Sequence, residues 1–131
     1  MPDTGNIRRD LVQMAEQFIE DLRTPYGLAE LRLQLEAKVY PEILGRAMDP
    51  VRQRWIESAR DSIAEAVARG ELLEDVSATV IFDLIRGAVI NRYLLVPMDR
   101  QDRFFAAKTT FANDIVDAAL RSAIRDDSAL L

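Results

Sequence analysis

The chain has 131 residues, a formal net charge of −5, no cysteine, no histidine, and only five glycines and five prolines. That length suits one domain around a single core, and so little glycine and proline argues for helices over a turn-rich β fold. The acidic balance opposes unaided binding to nucleic-acid phosphates, and the missing thiols and imidazoles exclude disulfides, the common zinc sites and Ser-His-Asp chemistry.

Apolar residues recur at helical spacing from Ile7 to Leu22, which predicts a first helix capped by Asp3, Thr4 or Asn6 and stopped at Thr24-Pro25. Gly27 to Tyr40 carries Leu28, Leu31, Leu35 and Val39 at helical spacing among Ala, Glu, Arg, Gln and Lys, and predicts a second helix. Pro41 marks a break and starts a short third helix over Glu42 to Ala47. Asp49-Pro50 reads as a cap followed by a first-turn proline, so a fourth helix is expected from there, with Val51, Trp55, Ala59, Ile63, Ala66 and Val67 on one face. Gly70 suits the left-handed residue that ends it.

The acidic connector Glu71 to Asp75 reads as helix-end and cap chemistry, with Asp75 or Ser77 capping the next helix. From Thr79 to Val96 the polar face nearly vanishes. A helix apolar almost all round must be covered almost all round, which a domain this small rarely achieves alone, so a partner chain is expected. Asp83, Arg86 and Arg92 interrupt that stretch and argue against a membrane span. Pro97-Met98-Asp99 punctuates the chain, and a last helix is expected from Arg100 to Arg125, followed by a frayed tail from Asp126 to Leu131. The expectation is an all-α, roughly six-helix bundle forming a single domain over residues 1–131. Met1 to Asp10 is polar and has no apolar signal core, so a cytoplasmic address is expected.

The stretch Ala68-Arg69-Gly70-Glu71-Leu72, then Asp75-Val76, Asp83-Leu84, Gly87 and Arg92-Tyr93-Leu94, resembles the C-terminal regulatory domain of TetR-type transcriptional regulators. The opening Asp3-Thr4-Gly5 with Ile7-Arg8-Arg9-Asp10-Leu11, and the break Thr24-Pro25-Tyr26-Gly27, resemble the same family, so the likeness spans nearly the whole chain. It implies an all-α domain that binds a small effector and forms a homodimer, the last two helices of each subunit making a four-helix bundle. The family's N-terminal helix-turn-helix has no counterpart in these residues. DNA reading is therefore expected to reside in an N-terminal domain outside this chain, the alternative being a family member that has lost its DNA-binding half.

A pocket is expected among the first, second, fourth and fifth predicted helices, lined by some of Met14, Phe18, Leu35, Trp55, Phe82 and Tyr93, whose bulk suits an apolar or aromatic effector. Each of these residues taken singly is more often plain core. Arg86, as a partner for an anionic ligand, and Asn91, as a partner for a ligand carbonyl, are further ligand candidates, because burying them without partners is costly. An Asp83–Arg86 ion pair accounts for Arg86 equally well, and a pairing of Asn91 with Asn113 across the bundle is favoured over a ligand contact. Gly87, Ala88, Phe104, Phe111, Ile115 and Ala119 are the interface candidates. The acidic row Glu57, Asp61 and Glu65 reads as a solvated face. No catalysis, cofactor, metal or membrane attachment is expected, and the alternative function is a helical protein-interaction module without a pocket.

Overall fold

A computed structural model describes residues 1–121 and 123–124. All regular structure among them is helical: α1 (Ile7–Asp21), α2 (Pro25–Val39), a π-helical turn (Pro41–Gly45), α3 (Arg46–Ala68), α4 (Ala78–Leu95), a 3-10 turn (Met98–Arg100), α5 (Gln101–Ala106) and α6 (Lys108–Leu120). The all-α expectation holds, and so does the count of six helices, although their membership differs at two places.

Helix α1 runs through the middle of the domain. Asn6 caps it, its side-chain oxygen accepting from the Arg9 N–H at 2.9 Å. Leu11, Ala15 and Ile19 lie four residues apart and are wholly buried. Around this stripe pack α6, most extensively, with α4, α3 and α2. Asp10 is the unexpected member of the buried set, only 3% exposed. Its carboxylate accepts from the Thr4 N–H at 2.9 Å and the Thr4 hydroxyl at 2.6 Å. Those two bonds offset the loss of its hydration and fasten the N-terminal segment to the core.

The end of α3 forms as its sequence dictates. Gly70 takes φ +81°, its N–H donates to the Val67 carbonyl and the Glu71 N–H to that of Ala66, which is the Schellman arrangement. Glu71 then accepts from both Arg69 and the Ile7 N–H, tying the connector to the start of α1. Ser77 caps α4 by accepting from the Val80 N–H.

Two expected boundaries are corrected. Glu42 to Ala47 is not a separate helix, and Asp49-Pro50 does not start one. The π-helical turn leads directly into α3, with Pro50 inside it. A proline inside a helix loses its backbone donor and crowds the carbonyl four residues back, a cost of about 3 kcal/mol, which the burial of Ala59, Ile63 and Ala66 in the later turns outweighs. The last helix is not continuous either. Ala107 stands at φ −93°, ψ 13° between α5 and α6. No glycine or proline marks this break. It lets adjacent Phe104 and Phe105 both turn inward, into a cluster with Ile19, Leu22 and Val89. Arg125 and the tail from Asp126 lie outside the described residues.

Across the α1–α6 seam, Arg8 donates to Asp117 at 2.7 Å and to Asn113 at 2.8 Å. The hydrogen bond from Arg8, with its positive charge adding, holds the Asp117 carboxyl below its ordinary pKa. A depressed folded-state pKa means the bridge contributes above the unfolded carboxylate value and is lost as pH falls through the lowered one. Both groups are about half exposed, so the effect on stability is small. Arg8→Gln is expected to return the Asp117 titration to the ordinary carboxylate range, as followed by carboxyl-carbon NMR; an unchanged titration would show that Arg8 is not the cause.

Candidate functional site

Helix α2 buries none of its residues. Leu28, Leu31, Leu35 and Val39 share one side of it, but Arg32 and Lys38 flank that side and Leu33 points elsewhere, so the helix has no clean apolar face with which to dock fully on the core. Its start is fixed locally. Thr24 caps it through the Gly27 N–H at 3.1 Å, and Gly27 lies so near the end of α1 that an added Cβ would stand 2.5 Å from the Asp21 carbonyl carbon and nearer still to its oxygen. Only glycine permits that approach. Helix α2, the π-helical turn and the first half of α3 thereby stand away from the core as a hairpin.

Between this hairpin and the helices α1 and α4 lies a cavity of about 1100 Å³. Phe18 and Leu22 line it from α1, Leu31 and Gln34 from α2, Met48 and Trp55 from α3, and Arg86, Val89 and Ile90 from α4. Trp55 is the centre of the aromatic wall, its ring 6.2 Å from Phe18 and 5.2 Å edge-on from Phe82. A second hollow of about 350 Å³, lined by Met1, Pro2 and Met14, shares Phe18, Asp21 and Trp55 with the first.

Of the sequence-derived ligand candidates, Phe18, Trp55 and Arg86 meet on the wall of the large cavity. Phe82 is buried directly behind Trp55, and Met14 is buried on the wall of the smaller hollow. Leu35 is 63% exposed and turns from the cavity that Leu31, one turn earlier, faces. Asn91 is exposed on α4. Tyr93 sits in the second core cluster, 6.1 Å from Phe104 and 6.2 Å from Phe105. The Asp83–Arg86 pair, one of the two readings of Arg86, does not form; Arg86 Nη2 donates instead to Gln34 Oε1 on α2 at 2.9 Å. Asn113 is engaged within the chain itself, accepting from Arg8 and donating to the Thr109 carbonyl at 2.8 Å. Sequence reasoning missed Gln34, Met48 and Ile90. A polar residue in the middle of the leucines of α2 was the available signal for Gln34; the other two carried none.

Helix α4 divides into two faces. Ile81, Phe82, Ile85 and Val89 are buried inward, while Val80, Leu84, Leu94 and Leu95 are exposed outward, with Gly87 and Asn91 between them. Among the interface candidates, Gly87 lies on that outward face and Ala88 is half-buried. Phe111 and Ile115 are half-buried against the second cluster. Phe104 and Ala119, expected at the interface, belong instead to the core of the chain, at 8% and 1% exposure.

The whole of this framework, residues 1–119, matches the family model of the tetracyclin repressor-like C-terminal domain. The chain belongs to that family. No curated protein and no solved structure matches it. The family is one of ligand-binding regulatory domains and is generally not enzymatic, so the regulatory role of this TetR-like domain follows from its membership. Among the described residues, no helix is long and apolar enough to cross a membrane.

Proposed function

We propose that this TetR-like domain is the effector-binding and dimerisation part of a transcriptional regulator, controlling DNA binding by an N-terminal domain outside this chain. The cavity walled by Phe18 and Trp55 carries the reading: it is larger than a single core packing defect, mostly apolar, and roofed by the hairpin that the core does not hold tightly. A small apolar or aromatic effector filling it would bury surface of Leu31, Trp55 and Ile90 and draw α2 toward α4. The shared wall of Phe18 and Trp55 would pass that movement to the hollow lined by Met1 and Pro2, and so toward a DNA-reading head. The outward apolar stripe of α4, beside α6, supports a homodimer built on those two helices.

Trp55 is the sole tryptophan of the chain, so its fluorescence reports on the cavity without labelling. A screen of apolar and aromatic compounds is expected to return at least one that shifts or quenches Trp55 emission. At a hundredfold excess over its Kd that compound raises stability by about 2.7 kcal/mol. Absence of any such compound, together with an unchanged melting temperature, would favour the protein-interaction module instead.

A further inference from the structure

The lining of the large cavity carries four carboxylates, Asp21, Glu30, Asp49 and Asp83, and four cations, Lys38, Arg46, Arg52 and Arg86. The set is neutral, which disfavours a polyanion such as a phosphate ester. Six of the eight are solvent-exposed at the rim; Asp21 and Arg86 alone are half-buried. Asp49 and Arg52 neutralise each other at 2.7 Å. Asp21 accepts at an exposed site from Gln17, a turn back on its own helix.

Arg86 differs from all of them. It reaches across the cavity, and its partner there is the Gln34 side-chain oxygen, a neutral acceptor whose own amide is held by Glu30 at 3.3 Å. No carboxylate lies within ion-pair distance of Arg86 among the described residues. A guanidinium offers five donors in a planar fork, and Gln34 occupies one of them. A carboxylate accepts two parallel bonds from that fork, each roughly twice as strong as a neutral one, and so displaces an amide. Asp83, one turn earlier on α4, stays at the exposed rim and adds a penalty for a second negative charge.

We infer that the cavity takes an amphipathic monocarboxylate. Its carboxylate lies on Arg86 in place of Gln34, and its aromatic or aliphatic body lies against Phe18, Trp55, Leu31 and Ile90. This inference rests on the reading of the cavity as an effector site and specifies the effector's chemistry.

The test titrates the whole chain with octanoate and 4-phenylbutyrate, each beside its primary amide, by calorimetry and Trp55 fluorescence. Each acid is expected to bind about tenfold to a hundredfold tighter than its amide, the worth of a hydrogen bond to a charged group. Added salt should weaken the acid and leave the amide unaffected. Arg86→Gln is expected to abolish the preference. Arg86→Lys, which keeps the charge and loses the fork, should retain part of it and guards against a variant that simply misfolds. Gln34→Ala is expected to tighten the acid severalfold by removing its competitor, the opposite of what a purely structural role for Gln34 would give. Equal binding of acid and amide to the unaltered protein overturns the carboxylate assignment and leaves the effector reading standing. Binding of none of the four at millimolar concentration overturns both.

Discussion

Leu84→Glu is expected to turn a homodimer into a folded monomer. Leu84 lies on the outward face of α4, 49% exposed, with Val80 one turn before it and Leu94 and Leu95 further along at 66% and 71%. In a twofold-symmetric bundle the substitution enters twice, placing two like charges against apolar surface. Burying unpaired carboxylates there would cost several kcal/mol, so the dissociation constant should rise by at least about a hundredfold. Light scattering should give twice 14.8 kDa for the unaltered chain and 14.8 kDa for the variant, with helical content unchanged. Phe111 and Ile115 are poorer probes, because both also pack against their own subunit's second cluster. A variant that remains dimeric would place the interface elsewhere, and a monomeric parent would refute the dimer.

The neighbouring position gives the opposite readout. Ile85 is wholly buried in the main cluster between α1 and the other core helices. Ile85→Ala is expected to destabilise the fold by about 2–5 kcal/mol, through lost burial plus the cavity left behind. For a domain of this size that corresponds to a fall of roughly 10–20 °C in melting temperature, measured by calorimetry at a fixed protein concentration. The fixed concentration matters because a dimer's melting temperature depends on it. A loss below about 1 kcal/mol would mean that α4 is not the central element the packing makes it. The contrast between adjacent residues separates what the helix does for its own subunit from what its outer face does for a partner.

The aromatic wall shows how far a candidate site can be read before a fold is known. Phe18, Trp55 and Arg86 are legible because bulky aromatics and a costly arginine stand out at helical spacing, and all three line the cavity. Leu35 stands out on the same ground as Leu31, yet one faces solvent and the other the cavity. The stripe of Leu28, Leu31, Leu35 and Val39 is legible as periodicity, but the side of α2 that meets the cavity is the adjacent one carrying Glu30, Gln34 and Ala37, with Leu31 at its edge. For Arg86, spacing can suggest only a partner a turn away, such as Asp83. Its acceptor is Gln34, fifty-two residues earlier in the chain.

The helix ends at Asn6, Ser77 and Gly70 lay within the candidates that the sequence alone offered, because each depends on bonds spanning five residues or fewer; Thr24, read there as the stop of the first helix, caps α2 as well. The family likeness was also legible, in short phrases at such helix ends. Only the tertiary structure decided that α3 runs through Pro50 and that the last helix breaks at Ala107. In both places distant burial, of Ala59, Ile63 and Ala66 in one and of Phe104 and Phe105 in the other, outweighs the local signal. The cavity belongs wholly to that second level. It is the space left where a hairpin whose helix α2 buries none of its residues stands off from α1 and α4, and no local run of residues encodes a space between helices.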